Sequence, residues 1–450
     1  MEYLCKILFF SLLLVSGCCG IINGKVIKTI TYNEKTKDAD SLTIHEGILS
    51  TSAQRIIYKR YDRVCGIIEL SEPVLVVRAD QEENWGFFQF PKIGRASDGT
   101  LVVSWHMRED SHKAYGTSGR KYTPMMSKDG GLTWIPQDKN YVVNSLGYNV
   151  CLNDGSSLHA LTPKAKDVSS YESFPTAIGK KGNISFFPLD SLPDELQGVY
   201  LNYVRKDRKS KVIHAKLVDP GSLRYAIDDL MPIVWWGNIK QLADQSLVAG
   251  VYPSYYSDTL GQVLPGGVSF YRSNDTGYSW SIIGKIPFCS DGIADKLGEK
   301  CFTEPAFEVL PDSVFICVMR SGSTSPMYYT FSDDRGRTWT KPIPFAPNGV
   351  NPQIMLLKSR VLVLASGRPG VQLRFSFDGT GLNWSDPIDM VHFVNENGTY
   401  IRDVSCGYAS LIEDGDDSFF LVYSDFTTKD DKGQIRKSIF CRKVKVYHSN

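Results

Sequence analysis

The sequence predicts an all-β chain assembled from repeated four-stranded antiparallel meanders. One short motif recurs four times, at residues 127–134 (SKDGGLTW), 273–280 (SNDTGYSW), 332–339 (SDDRGRTW) and, lengthened by one residue, 376–384 (SFDGTGLNW). Between the copies run short apolar stretches punctuated by Gly and Asp turns. The 450 residues also carry 38 glycines and 12% aromatic side chains, which suits a folded, turn-rich chain and not a disordered one.

The clearest meander covers residues 304–339. Its apolar runs at 307–310, 314–319 and 327–331 are separated by Pro311-Asp312, Gly322-Ser323 and the Asp334 to Gly336 turn. Neighbouring strands run in opposite directions, so the start of the first strand and the end of the second share one edge. Glu304 and Arg320 are therefore expected side by side.

Taken from the N-terminus, residues 1–19 read as a secretory signal peptide: one lysine, an apolar run from Ile7 to Val15, then small residues. The segment LVSGC also has the form of a lipobox, which would make Cys18 a lipidated N-terminus. Either way the protein is expected to leave the cytoplasm, secreted or held as a cell-surface or periplasmic lipoprotein. Membrane attachment is expected only through that lipid. Residues 20–79 are mixed short strands without recognisable chemistry, and residues 80–450 form the repeated region. A net charge of +1 with no basic field argues against nucleic acid as a partner.

Seven cysteines follow the leader, at 65, 151, 289, 301, 317, 406 and 441, with no CxxC or Cys/His spacing of zinc type. Neither a metal nor a cofactor is expected. Cys289 and Cys301 bracket a Gly/Asp-rich loop that a disulfide could close.

The repeated motif S-x-D-x-G-x-[TS]-W has a local physical meaning. Asp accepts hydrogen bonds from the backbone of its own turn, Gly supplies a positive φ, and Trp packs back on the hairpin. Using strand, Gly/Asp turn, strand as a template, meanders begin near Gln89, Asn149, Asn238, Glu304, Asn351 and Tyr408. The region 163–236 is least regular and must hold an insertion or poorly marked strands, which leaves the second and third meanders the least defined.

The four motifs resemble the Asp-box repeats of the sialidase superfamily. That resemblance implies a six-bladed β-propeller of four-stranded antiparallel blades, with the boxes between third and fourth strands and away from the active site. In such a propeller the starts of first strands and the ends of second strands converge on one rim, where this chain places Gln89, Arg108, Asp110, Glu304, Arg320, Arg368 and Tyr408.

Sialidases clamp a substrate carboxylate with three arginines, use Asp as acid/base, and use a Tyr nucleophile activated by Glu. By resemblance, Tyr408 in CGYASL is the nucleophile, Glu304 in TEPAFE its base, and Asp110 the acid/base. Arg320 in VMRSG and Arg368 in SGRPG are two of the clamp arginines, with Arg374 a weaker claimant. A phenolate suits the task because a carboxylate nucleophile would be repelled by the substrate's own carboxylate.

Two positions depart from the pattern. The family's first arginine sits in a Y/F-R-I-P motif, here Phe88-Gln89-Phe90-Pro91, so Gln89 replaces it. Losing that charged bidentate pair should cost on the order of 1.5 to 3 kcal/mol of anion binding. Lys92 or Arg95 could supply charge instead. Around Asp110 the segment HMREDSHKAYG matches loosely, so Glu109, His106 and His112 compete as proton donor.

The resulting expectation is an exo-acting retaining glycosidase that releases terminal sialic acid or a related acidic sugar from a glycan. A propeller glycosidase or lyase acting on another polysaccharide, and a carbohydrate-binding propeller without turnover, are the alternatives.

Overall fold

The protein is described by a computed structural model that covers residues 20–22, 25–32, 47–60, 63–96, 98–138, 150–207, 209–294, 301–322 and 325–448. Residues 1–19, read from the sequence as a signal peptide, and Cys18 with them, lie outside the described residues. Half of the structure is strand and 4% helix, so the all-β expectation holds.

Six four-stranded antiparallel units account for most of it. Unit I joins Phe87–Arg95, Leu101–Met107, Met125–Ser127 and Ile135–Pro136. Unit II joins Val150–Cys151, Ser157–Leu161, Val199–Val204 and Ser210–Val218. Unit III runs from Trp236–Gln241 through Leu247–Tyr256 and Gly267–Ser273 to Ser279–Ile286. Unit IV follows with Thr303–Val309, Phe315–Arg320, Met327–Ser332 and Ile343–Ala346. Unit V comprises Val350–Leu356, Leu362–Gly367, Val371–Ser376 and Ile388–Asp389.

Unit VI is assembled from both ends of the chain. Ala409–Glu413, Ser418–Asp425 and Ser438–His448 are completed by Val74–Arg78, which pairs antiparallel with Ser438–His448. Pairing thus crosses the boundary drawn at residue 79. Further out, Arg63–Leu70 also pairs with Ser438–His448. Gln54–Arg60 and Lys25–Tyr32 extend that edge, the last two in parallel.

The units pack face to face in the series II, III, IV, V, VI, I. Apolar side chains interleave at each junction: Leu201 and Trp235 with Trp280 for II and III, Phe270 with Phe307 and Phe315 for III and IV, and Val318 with Leu364 and Trp384 for IV and V. Leu373 with Leu421 joins V to VI, and Val422 with Val103 joins VI to I. Because each middle strand is covered on both faces, runs such as Leu362–Gly367 and Val371–Ser376 are buried at every residue. The outer strand Ser210–Val218 alternates instead. First strands of successive units adjoin along II, III, IV, V, VI and I.

Each repeated motif closes the turn from third to fourth strand of its unit. In unit IV, Ser332 Oγ donates to Asp334 Oδ1 at 2.8 Å and accepts from Gly336 N at 2.8 Å. Asp334 also accepts from Thr338 N at 2.8 Å and Thr338 Oγ1 at 2.6 Å, while Trp339 Nε1 donates to Gly336 O at 3.1 Å. The other three turns repeat the Ser–Asp and Gly–Ser bonds. Hydrogen bonds from the Thr hydroxyl and amide hold both Asp129 and Asp334 down to about 2.

Since the folded value lies below the ordinary 3.8, the stabilisation from Asp334 is complete above that pH and is lost as pH falls towards 2. Asp334→Ala should lower the thermal midpoint at neutral pH, and the gap to the parent should shrink through that acid window. A gap of equal size at neutral pH and at the acid end would contradict this account of the turn.

An insertion at 162–198, within unit II, and the segment between units II and III form a small separate layer. Ile184–Pro188 pairs with Ser222–Ile227, and Phe187, Leu196 and Met231 make its core. This layer buttresses the loop after Leu101–Met107: Gly116 fits tightly against the Pro163 and Lys164 backbone, Ala165 N donates to Tyr115 O at 3.4 Å, and His112 lies 3.4 Å from Asp228. Cys289 carries a free thiol, so no bridge to Cys301 forms.

Candidate functional site

The site is built on a bulge that recurs in three units. Pairing slips between Gln89 and Lys92, between Thr303 and Ala306, and between Val350 and Gln353. At each slip a non-glycine residue with left-handed backbone precedes a proline: Phe90 (φ 51°), Glu304 (φ 49°) and Asn351 (φ 44°). Side-chain and carbonyl crowding makes this conformation unfavourable, and the bulge re-aims the side chain it carries. Strain repeated at equivalent positions marks one end of the units as specialised.

Glu304 is the hub of that end. Its side chain is almost fully buried, and Arg320 Nη1 donates to Oε1 at 2.9 Å across the hairpin, as the meander predicts. Tyr408 O–H donates to the same oxygen from the start of unit VI. Asn351 N donates to Oε2 at 2.6 Å. Burial works against the charge on Arg320, but the adjacent Glu304 carboxylate more than compensates and raises its pKa. Tyr408 packs edge-on against Phe90, with ring centres 4.7 Å apart.

A second cluster gathers Asp110 and Arg368 around Trp85. Trp85 Nε1 donates to Asp110 Oδ2 at 2.9 Å, and the Arg368 guanidinium lies 5.6 Å from the centre of the Trp85 ring. Arg368 has a left-handed backbone (φ 49°) and is 9% exposed. A Cβ on Gly407 would come within 2.9 Å of Arg368 Cγ, so the Arg368 stem lies beside the segment that leads into Tyr408. The two clusters adjoin.

The remaining candidates are placed differently. Gln89 is fully buried, and neither atom of its amide has a hydrogen-bond partner among the described residues. Arg108 is not brought to the hub: its Nε donates to His106 Nε2 at 2.8 Å and its Nη1 to Thr117 O at 2.5 Å. It lines a shallow cavity of about 430 Å³ with Glu109, Lys113 and Arg120. Arg374 turns to Gln372 at 2.9 Å.

Among the alternatives to Asp110, His106 is engaged at both ring nitrogens. With Nε2 accepting from Arg108, His106 Nδ1 donates to Gly86 O at 2.7 Å, and burial lowers its pKa. Of the two cations that could replace the missing arginine, Arg95 points to Glu413 O and Asp414. Lys92 feels Cys406 and Glu304, and burial brings its pKa down to about 8.

The chain shares its fold with a protein of unknown function from Dyadobacter fermentans. Identity is 15%, the match covers 84% of this chain and 99% of that one, and the TM-score is 0.56. Also similar are the Hadza microbial sialidase Hz136, at 16% identity over 84% and 72% of the two chains with a TM-score of 0.46, and an α-L-arabinanase from Penicillium chrysogenum solved with arabinobiose, at 15% over 83% and 98% with a TM-score of 0.44. Comparison with family models and with curated proteins finds no match.

Phe90, Trp85 and Asn351 were not singled out from the sequence as site residues, although Asn351 marked a meander start and Phe90 stood beside Gln89. The signal that could have found two of them is the residue before proline early in a first strand, shared by Phe90-Pro91, Glu304-Pro305 and Asn351-Pro352. Nothing in the sequence marks Trp85, whose role comes from contacts with residues 25 and 283 positions away.

Proposed function

We propose that this protein is an exo-acting retaining glycoside hydrolase of sialidase type, and that its six units close into a six-bladed β-propeller with Glu304 at the central rim. The observation that carries the reading is the donation of Tyr408 O–H to Glu304 Oε1, an oxygen that Arg320 also holds. Tyr408 attacks the anomeric carbon while its proton passes to Glu304. Asp110 protonates the leaving oxygen, and the glycosyl–tyrosine bond is then broken by water whose proton Asp110 takes back. Arg320 and Arg368 bind the acidic group of the sugar.

The deciding experiment is hydrolysis of an aryl α-sialoside by the wild type, followed by proton NMR of the released sugar. Turnover with retained anomeric configuration supports the reading, and an inert enzyme sinks it. The second reading, a glycosidase or lyase on a different polysaccharide, is favoured by Gln89, which brings a neutral amide where the resemblance calls for a cation. Release of another sugar from a glycan panel would select it, and saturable glycan binding without any product would select a binding protein. The reading includes export, as a secreted protein or a lipoprotein through Cys18, tested by the mass of the mature N-terminus.

A further inference from the structure

Unit III presents aromatic rings where unit IV presents Glu304 and Arg320. In register, Trp236 at the start of the first strand faces Tyr252 in the second half of Leu247–Tyr256, toward the same end at which Thr303 faces Arg320 and Val350 faces Gly367. Trp235, one residue earlier, is 4% exposed between Tyr271 and Trp280 in the core, and strand alternation sends Trp236 the other way. Trp236 and Tyr252 remain partly exposed, with ring centres 5.4 Å apart. Tyr115 completes the row from the loop after unit I's second strand, edge-on to Trp236 at 5.1 Å.

The row lies at the same end of the units as the charged parts of the site: Tyr115 shares one loop with Asp110, and Trp236–Gln241 adjoins Thr303–Val309. Tyr115 feels the Asp110 carboxylate, and Arg320 feels the Tyr252 phenol. Tyr115 is also held by the insertion, through its carbonyl to Ala165 N. Three rings in contact, fixed from three separate segments and partly open, make an apolar wall whose planes are inclined by 75° and 44°, so that single ring faces and edges are what it offers. The positively polarised C–H groups on one face of a pyranose ring complement it, while the hydroxyls at the ring edge stay free for polar groups.

We propose that Tyr115, Trp236 and Tyr252 seat the sugar on the leaving-group side of the cleaved bond, so that the substrate is a terminal residue carried on a glycan chain. This rests on the reading of Asp110 as the proton donor, because that role puts the leaving group beside Tyr115. The platform then selects for what the terminal sugar is attached to, separately from the groups that read the terminal sugar itself.

The test compares sialyllactose with methylumbelliferyl α-sialoside, which share the terminal residue and differ in the leaving group. In Trp236→Ala the ratio of kcat/KM on sialyllactose to that on the aryl glycoside should fall roughly tenfold or more. Trp236→Phe, which keeps a ring, should recover most of the loss. An unchanged ratio, or a Phe variant as impaired as the Ala variant, overturns the platform. Should neither compound be hydrolysed, the catalytic reading has failed, and calorimetric binding across an oligosaccharide panel takes over. Saturable binding lost in Trp236→Ala sustains the platform, whereas equal binding in both proteins or binding by neither overturns it.

Discussion

Under the proposed mechanism, Tyr408→Phe is expected to reduce hydrolysis of an aryl α-sialoside by on the order of a thousandfold or more, because that mechanism has the Tyr408 oxygen bond to the anomeric carbon. Little else should change. Phenylalanine keeps the ring against Phe90, and Glu304 keeps both Arg320 and the Asn351 amide, so the carboxylate remains paired and the hub should fold as before. Glu304→Gln should be less severe in rate, a loss of roughly a hundredfold or more, the range associated with losing a positioned general base. It should also be less stable, since Arg320 would remain largely buried opposite a neutral amide. Circular dichroism and thermal melts separate the two effects. A Tyr408→Phe enzyme with a tenth or more of wild-type activity would remove Tyr408 as nucleophile.

How much of this was legible in the sequence depends on how local each feature is. The four turns were readable because Asp, Gly and Trp satisfy groups within a few residues of themselves, as the bonds around Asp334 illustrate. The six meander starts each coincide with or adjoin the first strand of a unit, because buried runs separated by Gly/Asp turns need no distant partner to be recognised. Glu304 and Arg320 were also accessible, being joined across one hairpin.

What escaped is what the chain assembles over long separations. Ile184–Pro188 finds its partner at Ser222–Ile227, with both outer strands of unit II in between, so the sequence marked the region as irregular without deciding between an insertion and weak strands. Arg108 looked like a rim residue from its place after a strand, and what local sequence did not announce is that His106 and the Thr117 carbonyl hold its guanidinium. Gln89 looked like a weak substitute for a cation, but its complete burial makes it part of the wall between strands at least as much as a ligand. The completion of unit VI by Val74–Arg78 joins residues more than three hundred positions apart, a pairing that no local pattern announces.

That completion has its own expected result, centred on Arg442. Arg442 lies in the strand Ser438–His448, which Val74–Arg78 and Arg63–Leu70 both join, and its side chain is fully buried. The guanidinium donates to Ser50 O at 2.5 Å, Ser52 O at 2.7 Å and Ser71 O at 2.6 Å, pinning two turns of the N-terminal region to unit VI. Burial lowers its pKa, with nearby Tyr423 acting in the opposite direction. A planar group with donors on several edges can reach three carbonyls in different directions, whereas the three donors of a lysine radiate from a single nitrogen. Arg442→Met fills similar space while leaving those carbonyls without their donor, and should lower the unfolding free energy by about 3 to 5 kcal/mol. Arg442→Lys should fall between Met and wild type. Urea denaturation measures this as a lowered midpoint, with a reduced slope if the 47–78 region detaches before the rest. A shift of less than about 1 kcal/mol would mean that strand pairing alone holds the two ends of the chain together. Because Tyr408 leads directly into Ala409–Glu413, which is paired through Ser418–Asp425 to the pinned strand, loosening it should also reduce activity at temperatures below the global transition.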